Sequence, residues 1–334
     1  MPGPFPSASA LIEALDEPTL IVERGHTLAA NSAALQLLGA SIVGADVRLA
    51  VRHPQALQAI LARKAIDLSL IGLGSAERPW QLSVRPIERD TCLVSLHDRS
   101  VAVAAERMRV DFVANASHEL RTPLATITGF AETLAEDGAI DETIRRRFGA
   151  TIHDEAARML RIIEDLMGLS RIEADRFVAP RDAVDLAGLA LTACEHAAPL
   201  AQRKSCSIEV VAKGQLMVTG DYAQLLQVAD NLISNAVRYG CSPKCPAIRV
   251  EVARDSGRAI FRVTDRGDGI AAAHLPRLTE RFYRVDPARS RDSGGTGLGL
   301  AIVKHIVERH RGTLEIRSTP GAGTVVEVKL PLAA

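Results

Sequence analysis

The chain has 334 residues, too many for one ordinary hydrophobic core, so two or three domains are expected. Hydrophobic residues make up 47% and charged residues 24%, a balance that suits folded domains and excludes wholesale disorder. Forty basic residues cancel 40 acidic ones and aromatics are only 3%, so neither a basic surface nor a set of stacking platforms for nucleic acid is expected. No apolar run approaches the roughly 18–20 residues of a membrane span. The N-terminus lacks the basic flank and continuous apolar segment of a signal peptide, so the expected location is cytoplasmic. The five cysteines (Cys92, Cys194, Cys206, Cys241 and Cys245) are odd in number, which predicts thiols rather than a disulfide framework.

Residues 1–97 alternate short apolar runs with small helical segments. Strands are expected at 19–22, 68–71, 81–84 and 92–96, and helices at 32–38 and 54–62. The stretch DEPTLIVERGHTLAANSAALQLLG resembles the start of a PAS sensory domain, with Asn31 at the turn into the first helix. That resemblance implies a mixed α/β module with an antiparallel sheet and names no ligand.

Residues 99–136 read as one long helix. Its apolar or small stripe runs through Val113, Ser117, Leu120, Leu124, Ile127, Ala131 and Leu134 in steps of four and three. A second helix over 142–173 repeats the pattern at Phe148, Ile152, Glu155, Met159, Ile162, Leu166 and Leu169. The short connection predicts an antiparallel hairpin. One hairpin offers too little partner surface for stripes this wide, so two chains are expected to pair into a four-helix bundle. An intramolecular coiled-coil spacer is the alternative for the stripes alone.

The first helix carries HELRTPL at 118–124. A neutral imidazole such as His118 is a competent nucleophile near pH 7. Glu119 follows directly and could hold the proton of one ring nitrogen, leaving the other free. Thr122 lies four residues on, on the same helix face, and could orient a water. Pro123 cannot donate to the carbonyl of Glu119, so it is expected to bend the helix next to the histidine, a defect from which a plain spacer gains nothing.

From about Val184 onward the pattern mixes strands (207–211, 248–253, 259–265, 313–318, 324–330) with helices (186–202, 222–239, 298–311). A mixed or antiparallel sheet with helices on one face is expected. In DNLISNAVRYG, Asn231 and Asn235 share one helical face, and neutral amide oxygens can ligate Mg²⁺ without repelling a triphosphate. Asp265, at a strand end in DRGDGI, can accept from an adenine amino group, with Gly267 and Gly269 letting the backbone pass close by. GGTGLGLAIVK runs from clustered glycines straight into an apolar helix, whose N-terminus favours anionic phosphates. It is not a P-loop, because no GxxxxGK[ST] occurs.

Taken in order, these segments resemble the sensor histidine kinases of bacterial two-component systems, of the phosphate-regulon-sensor type. The resemblance implies a multidomain α+β chain. Its parts would be a PAS-like domain (1–97), a helical dimerisation and phosphotransfer hairpin forming a dimeric antiparallel four-helix bundle (98–176), and a C-terminal Bergerat (GHKL) α/β sandwich (181–334). It makes His118 the phosphoryl acceptor, Glu119 its acid–base partner and Thr122 the phosphatase residue. It makes Asn235 the Mg²⁺ ligand with Asn231 in support, and Asp265 the adenine contact. Arg238, Tyr239, Gly267, Gly269, Gly295, Thr296, Gly297, Leu298 and Gly299 would complete the ATP site. ERFYR at 280–284 resembles the family's phenylalanine segment and 286–293 its lid. The implied partners are a second copy through the hairpin and the receiver domain of a response regulator. A predominantly phosphatase protein, a GHKL-type ATPase and a scaffold without kinase flux stand as alternatives.

Overall fold

The structure, a computed structural model, describes residues 7–73, 78–88, 90–136, 140–174, 178–212, 214–241, 246–286 and 295–333. Cys245, Gly294, the centre of the hairpin connection and all of the expected lid except Asp286 lie outside them. The chain divides into two compact units, 1–113 and 114–334.

The first unit is built on a five-stranded antiparallel sheet. In chain order come α1 (Ala8–Glu13), β1 (Thr19–Glu23), β2 (His26–Ala30), α2 (Ser32–Leu38), α3 (Pro54–Leu61), β3 (Ile66–Ile71), β4 (Pro79–Glu88) and β5 (Thr91–Asp98). The strand order is β2-β1-β5-β4-β3. Alternate residues Leu82 and Val84 of β4, and Val94 and Leu96 of β5, point into one core with Leu20, Trp80 and Ile42. Asn31 caps α2 from inside this core. Its side-chain oxygen accepts from the amides of Ala34 (3.0 Å) and Thr19 (2.9 Å), while its amide donates to the carbonyls of Glu17 (2.8 Å) and Leu15 (3.0 Å). A polar side chain 1% exposed is tolerated there because every bond is met. Two elements, α1 and β2, escaped the sequence reading: each buries a single side chain, Ile12 and Thr27, so neither shows an apolar period.

A long helix, α4 (Ser100–Ala135), passes without a break through Pro123, and α5 (Glu142–Ala174) follows it. The hairpin is held by Phe130 against Phe148, with ring centroids 4.7 Å apart. Ile162, Leu169 and Ile172 of α5 are buried. Other apolar positions stay open: Val113, Leu124, Ile144, Leu160 and Met167 are each exposed, Leu124 by 51%.

The remainder comprises β6 (Asp182–Asp185), α6 (Leu186–Arg203), β7 (Ser207–Ala212), β8 (Met217–Gly220), α7 (Tyr222–Asn235), β9 (Ala247–Asp255), β10 (Arg258–Thr264), α8 (Gly299–Arg309), β11 (Thr313–Thr319) and β12 (Gly323–Pro331). The main sheet runs β11-β12-β10-β9-β7, with β7 and β9 parallel and the other pairs antiparallel. One face carries the buried side chains Ile248, Val250, Val252, Phe261, Val263 and Val328, and α6, α7 and α8 pack together beside it. The opposite face is polar: Arg262 of β10 bonds Glu251 of β9 (2.8 Å) and Glu327 of β12 (2.7 Å). β6 and β8 form a separate two-stranded ribbon that the sequence did not disclose. The helix expected to reach residue 239 ends as an α-helix at Asn235 and turns through a π-helical segment, Ala236–Gly240.

The cysteine expectation is corrected. Cys206, just after α6, and Cys241, just after the π turn, are joined as a disulfide with Cα atoms 6.0 Å apart. The pairing escaped the sequence because the partners are 35 residues apart, with β7, β8, α7 and the π turn between them. Cys92 and Cys194 are free.

Candidate functional site

His118 is exposed on α4, as its position beside the apolar stripe requires. Thr122, one turn on, is also exposed, and its hydroxyl donates to the His118 carbonyl at 3.3 Å. Glu119 turns toward α5: its Oε2 accepts from Nη2 of Arg158 at 3.3 Å and lies 3.8 Å from Nη1 of Arg284.

The second half of the chain holds a cavity of about 420 Å³. Its wall contains Asn231 and Asn235 of α7, Arg238 and Tyr239 of the π turn, Asp265 and Gly269 after β10, and Gly295, Thr296, Gly297 and Gly299 at the entry to α8. Val263, Ile270, Leu278, Ile316 and Val326 supply an apolar floor. An apolar slot with a few polar groups at one end suits a base attached to a charged tail. Two expected residues act from behind the wall. Leu298 is fully buried, and Gly267 donates its amide to Asp265 Oδ1 at 2.9 Å.

Asp265 is fixed by that bond and by the Thr324 amide, which donates to the same Oδ1 at 3.2 Å. Its other oxygen takes no hydrogen bond among the described residues, and burial pushes its carboxyl above the ordinary range against the pull of the two amides. The DRGDGI loop closes tightly. Gly269 has φ +68°, and a Cβ there would lie 2.0 Å from the Thr319 carbonyl oxygen. At the other end Gly297, φ +72°, passes so close to Phe282 that a Cβ would meet its backbone at 2.9 Å. The Gly297 carbonyl accepts from the Phe282 amide at 2.9 Å, which ties the ERFYR segment to the entry of α8.

The first-turn amides of α8 follow directly on this glycine turn, and the helix dipole adds positive potential there. Arg238 brings a cation, its guanidinium pKa lowered first by burial and also by nearby Arg161. Asn231 and Asn235 present neutral oxygens, and among the described residues no group of three or more His, Cys, Asp or Glu side chains is placed to hold a metal ion. This donor set fits Mg²⁺ that keeps most of its ligands from water and phosphate and adds an amide oxygen.

The sequence reading missed the part of the wall that α5 supplies: Arg161, Glu164 and Asp165. The Thr296 hydroxyl donates to Asp165 Oδ2 at 2.7 Å, and burial raises the Asp165 carboxyl pKa while that bond opposes it. Below them Glu173 of α5 pairs with Arg281 and, at 3.6 Å, with His305 of α8. Arg284 lines the cavity and also faces Glu119, so it links the cavity to the neighbour of His118; His118 itself is not part of the wall. No local spacing marks these contacts, which join residues far apart in the chain.

Comparison with known proteins agrees with this geometry. Residues 108–175 match the His Kinase A (phospho-acceptor) domain, and residues 220–334 match the histidine kinase-, DNA gyrase B- and HSP90-like ATPase family. The chain is 41% identical over 221 residues to the phosphate regulon sensor protein PhoR of Pseudomonas aeruginosa, covering 66% of this chain and 49% of that protein. It is 37% identical over 244 residues to the sensor-like histidine kinase SenX3 of Mycolicibacterium smegmatis, covering 73% and 63%. It therefore spans about half to two thirds of the length of these relatives. Among solved structures, the Acinetobacter baumannii histidine kinase AdeS shares the fold, with a TM-score of 0.53 at 22% identity over 65% of this chain and 98% of that one. Full-length ShkA in complex with AMPPNP gives a TM-score of 0.50 at 25% identity, over 69% and 46%. With a phospho-acceptor hairpin followed by a GHKL-type ATPase domain, the chain belongs to the family of ATP-dependent sensor histidine kinases.

Proposed function

We propose that this chain transfers the γ-phosphoryl group of ATP to a ring nitrogen of His118 and then passes it to an aspartate on the receiver domain of a response regulator. The observation that carries the reading is the pairing of an exposed histidine on a helical hairpin with a cavity whose wall holds Asn235, Asp265 and the glycine entry of α8. In this reading Asp265 accepts from the adenine amino group through its unengaged oxygen. The amides before α8 and Arg238 hold the phosphates, and Asn235, supported by Asn231, holds Mg²⁺. The metal would neutralise charge on the phosphates, while the protein supplies position. Nucleotide in the solved ShkA chain supports ATP as the ligand.

The exposed apolar residues of α4 and α5 support a homodimer through the hairpin, because a second hairpin would cover them. The antiparallel sheet order of the first unit supports a PAS-like sensory domain at 1–97, ahead of a hairpin at 98–176 and a catalytic domain at 181–334. No described helix is long and apolar enough to cross a membrane; a cytoplasmic site of action accords with the use of ATP. Thr122, exposed one turn from His118, supports a phosphatase activity on the phosphorylated regulator.

The test is incubation with γ-labelled ATP and Mg²⁺, wild type beside His118→Gln and Asn235→Ala. Acid-labile, alkali-stable label in the wild type alone is expected. Nucleotide binding without label removes the kinase reading and leaves a phosphatase, an ATPase or a scaffold. Regulator dephosphorylation that survives Thr122→Ala removes the role of Thr122.

A further inference from the structure

Arg158 has no part in the reading given so far. It sits on α5 with only 8% of its surface exposed, a costly place for a guanidinium. Glu155, one turn earlier on the same helix, already supplies a compensating carboxylate at 3.7 Å. Arg158 nevertheless also reaches across the hairpin to Glu119, donating from Nη2 to Oε2 at 3.3 Å. Glu119 Oε1 takes no hydrogen bond among the described residues. One carboxylate oxygen is tied and the other is left to act.

Geometry gives that tie a purpose. Successive helix residues point about 100° apart, so Glu119 does not face His118 by default. A glutamate can bend back to its neighbour, but at an entropic cost unless something fixes its stem and one oxygen. A salt bridge serving only the bundle has no need of the one carboxylate adjacent to the acceptor histidine.

We propose that Arg158 is a positioning residue for autophosphorylation: it anchors Oε2 of Glu119 so that Oε1 is presented to the His118 imidazole. This rests on the reading of Glu119 as acid–base partner. In the step, one ring nitrogen of His118 forms a bond to the γ-phosphorus as the bond from that phosphorus to the bridging oxygen breaks. The electron pair leaves on the β-phosphate oxygen of ADP. The proton on the other ring nitrogen is held by, and passes to, Glu119 Oε1.

The experiment measures kcat and KM for ATP in His118 labelling, on the full chain, for wild type, Glu119→Gln, Arg158→Met, Arg158→Lys and the double variant Glu119→Gln/Arg158→Met. Arg158→Met should lower kcat by about ten- to a hundredfold and leave KM within about twofold, a part of what acid–base help is worth. Arg158→Lys, which can still donate to Oε2, should recover most of the loss. In the Glu119→Gln background, Arg158→Met should cost nothing further, because it acts only through that carboxylate. Multiplying losses in the double variant, a change confined to KM, or wild-type turnover in Arg158→Met would each overturn the proposal. Wild-type turnover in Glu119→Gln would instead remove the reading beneath it. Should Arg158→Met lose its helical circular dichroism, the same comparison is made with Arg158→Ala and Glu119→Gln/Arg158→Ala.

Discussion

Replacing Asp265 by asparagine separates two jobs that the carboxylate performs with different oxygens. Oδ1 accepts from the amides of Gly267 (2.9 Å) and Thr324 (3.2 Å), and an asparagine oxygen can keep both bonds. Rotating the amide the other way would set donors against donors, so the new NH₂ must occupy the place of Oδ2. There it faces the adenine amino group as donor against donor. Losing a hydrogen bond to a charged acceptor and leaving a donor unmatched costs about 3 kcal/mol, or about a hundredfold in affinity. Stability should move the other way. Burial raises the Asp265 pKa, so the folded state binds the proton more tightly than the unfolded one. Wild-type stability therefore falls as pH rises from the ordinary aspartate value of 3.8 through the raised one, and asparagine removes that slope. At pH 7, Asp265→Asn should thus be as stable as wild type or more so. Asp265→Ala strands both amides and should lose about 2–4 kcal/mol. The assays are titration with a fluorescent ATP analogue and denaturant unfolding of the three proteins. Normal affinity in Asp265→Asn would refute the adenine contact. Equal destabilisation of the two variants would refute the division of labour between the oxygens.

Gly269→Ala must fit a methyl group 2.0 Å from the Thr319 oxygen at φ +68°, and should lose about 2 kcal/mol or more of stability together with nucleotide binding; thermal unfolding and the same titration check it. Burial works to raise the Glu327 pKa, but bonds from Arg262 and Lys329 prevail and lower it. Its stabilising contribution is therefore full above the ordinary value of 4.5 and is lost as pH falls through the lowered one. Glu327→Gln should cost about 2 kcal/mol in urea unfolding at pH 7, with the deficit shrinking in acid. Burial pushes the Cys194 thiol up to about 11 from an ordinary 9.0, so its alkylation at pH 8 should run about a hundredfold slower than that of a free thiol and rise with pH toward 11. Peptide mapping without reduction should find Cys206 linked to Cys241, with Cys92 and Cys194 as thiols.

The amino-acid sequence by itself determined what depends on short-range spacing. Asn231 and Asn235 share a face because they stand four apart on a helix. The amides before α8 are accessible because glycines precede an apolar helix, and His118 is exposed because it falls beside a stripe of period three to four. The long helices and the hydrophobic strands were legible for the same reason. β2, β6 and β8 were not, since each is only four or five residues long and buries at most two side chains. Tertiary structure alone decided which distant residues meet: Arg158 with Glu119 across 39 residues, Asp165 with Thr296 across 131, and Cys206 with Cys241 across 35. Such pairs leave no periodic trace. Their partners are chosen when helices and sheet bury their apolar faces against one another, and the polar groups brought along must then find whatever charge lies opposite.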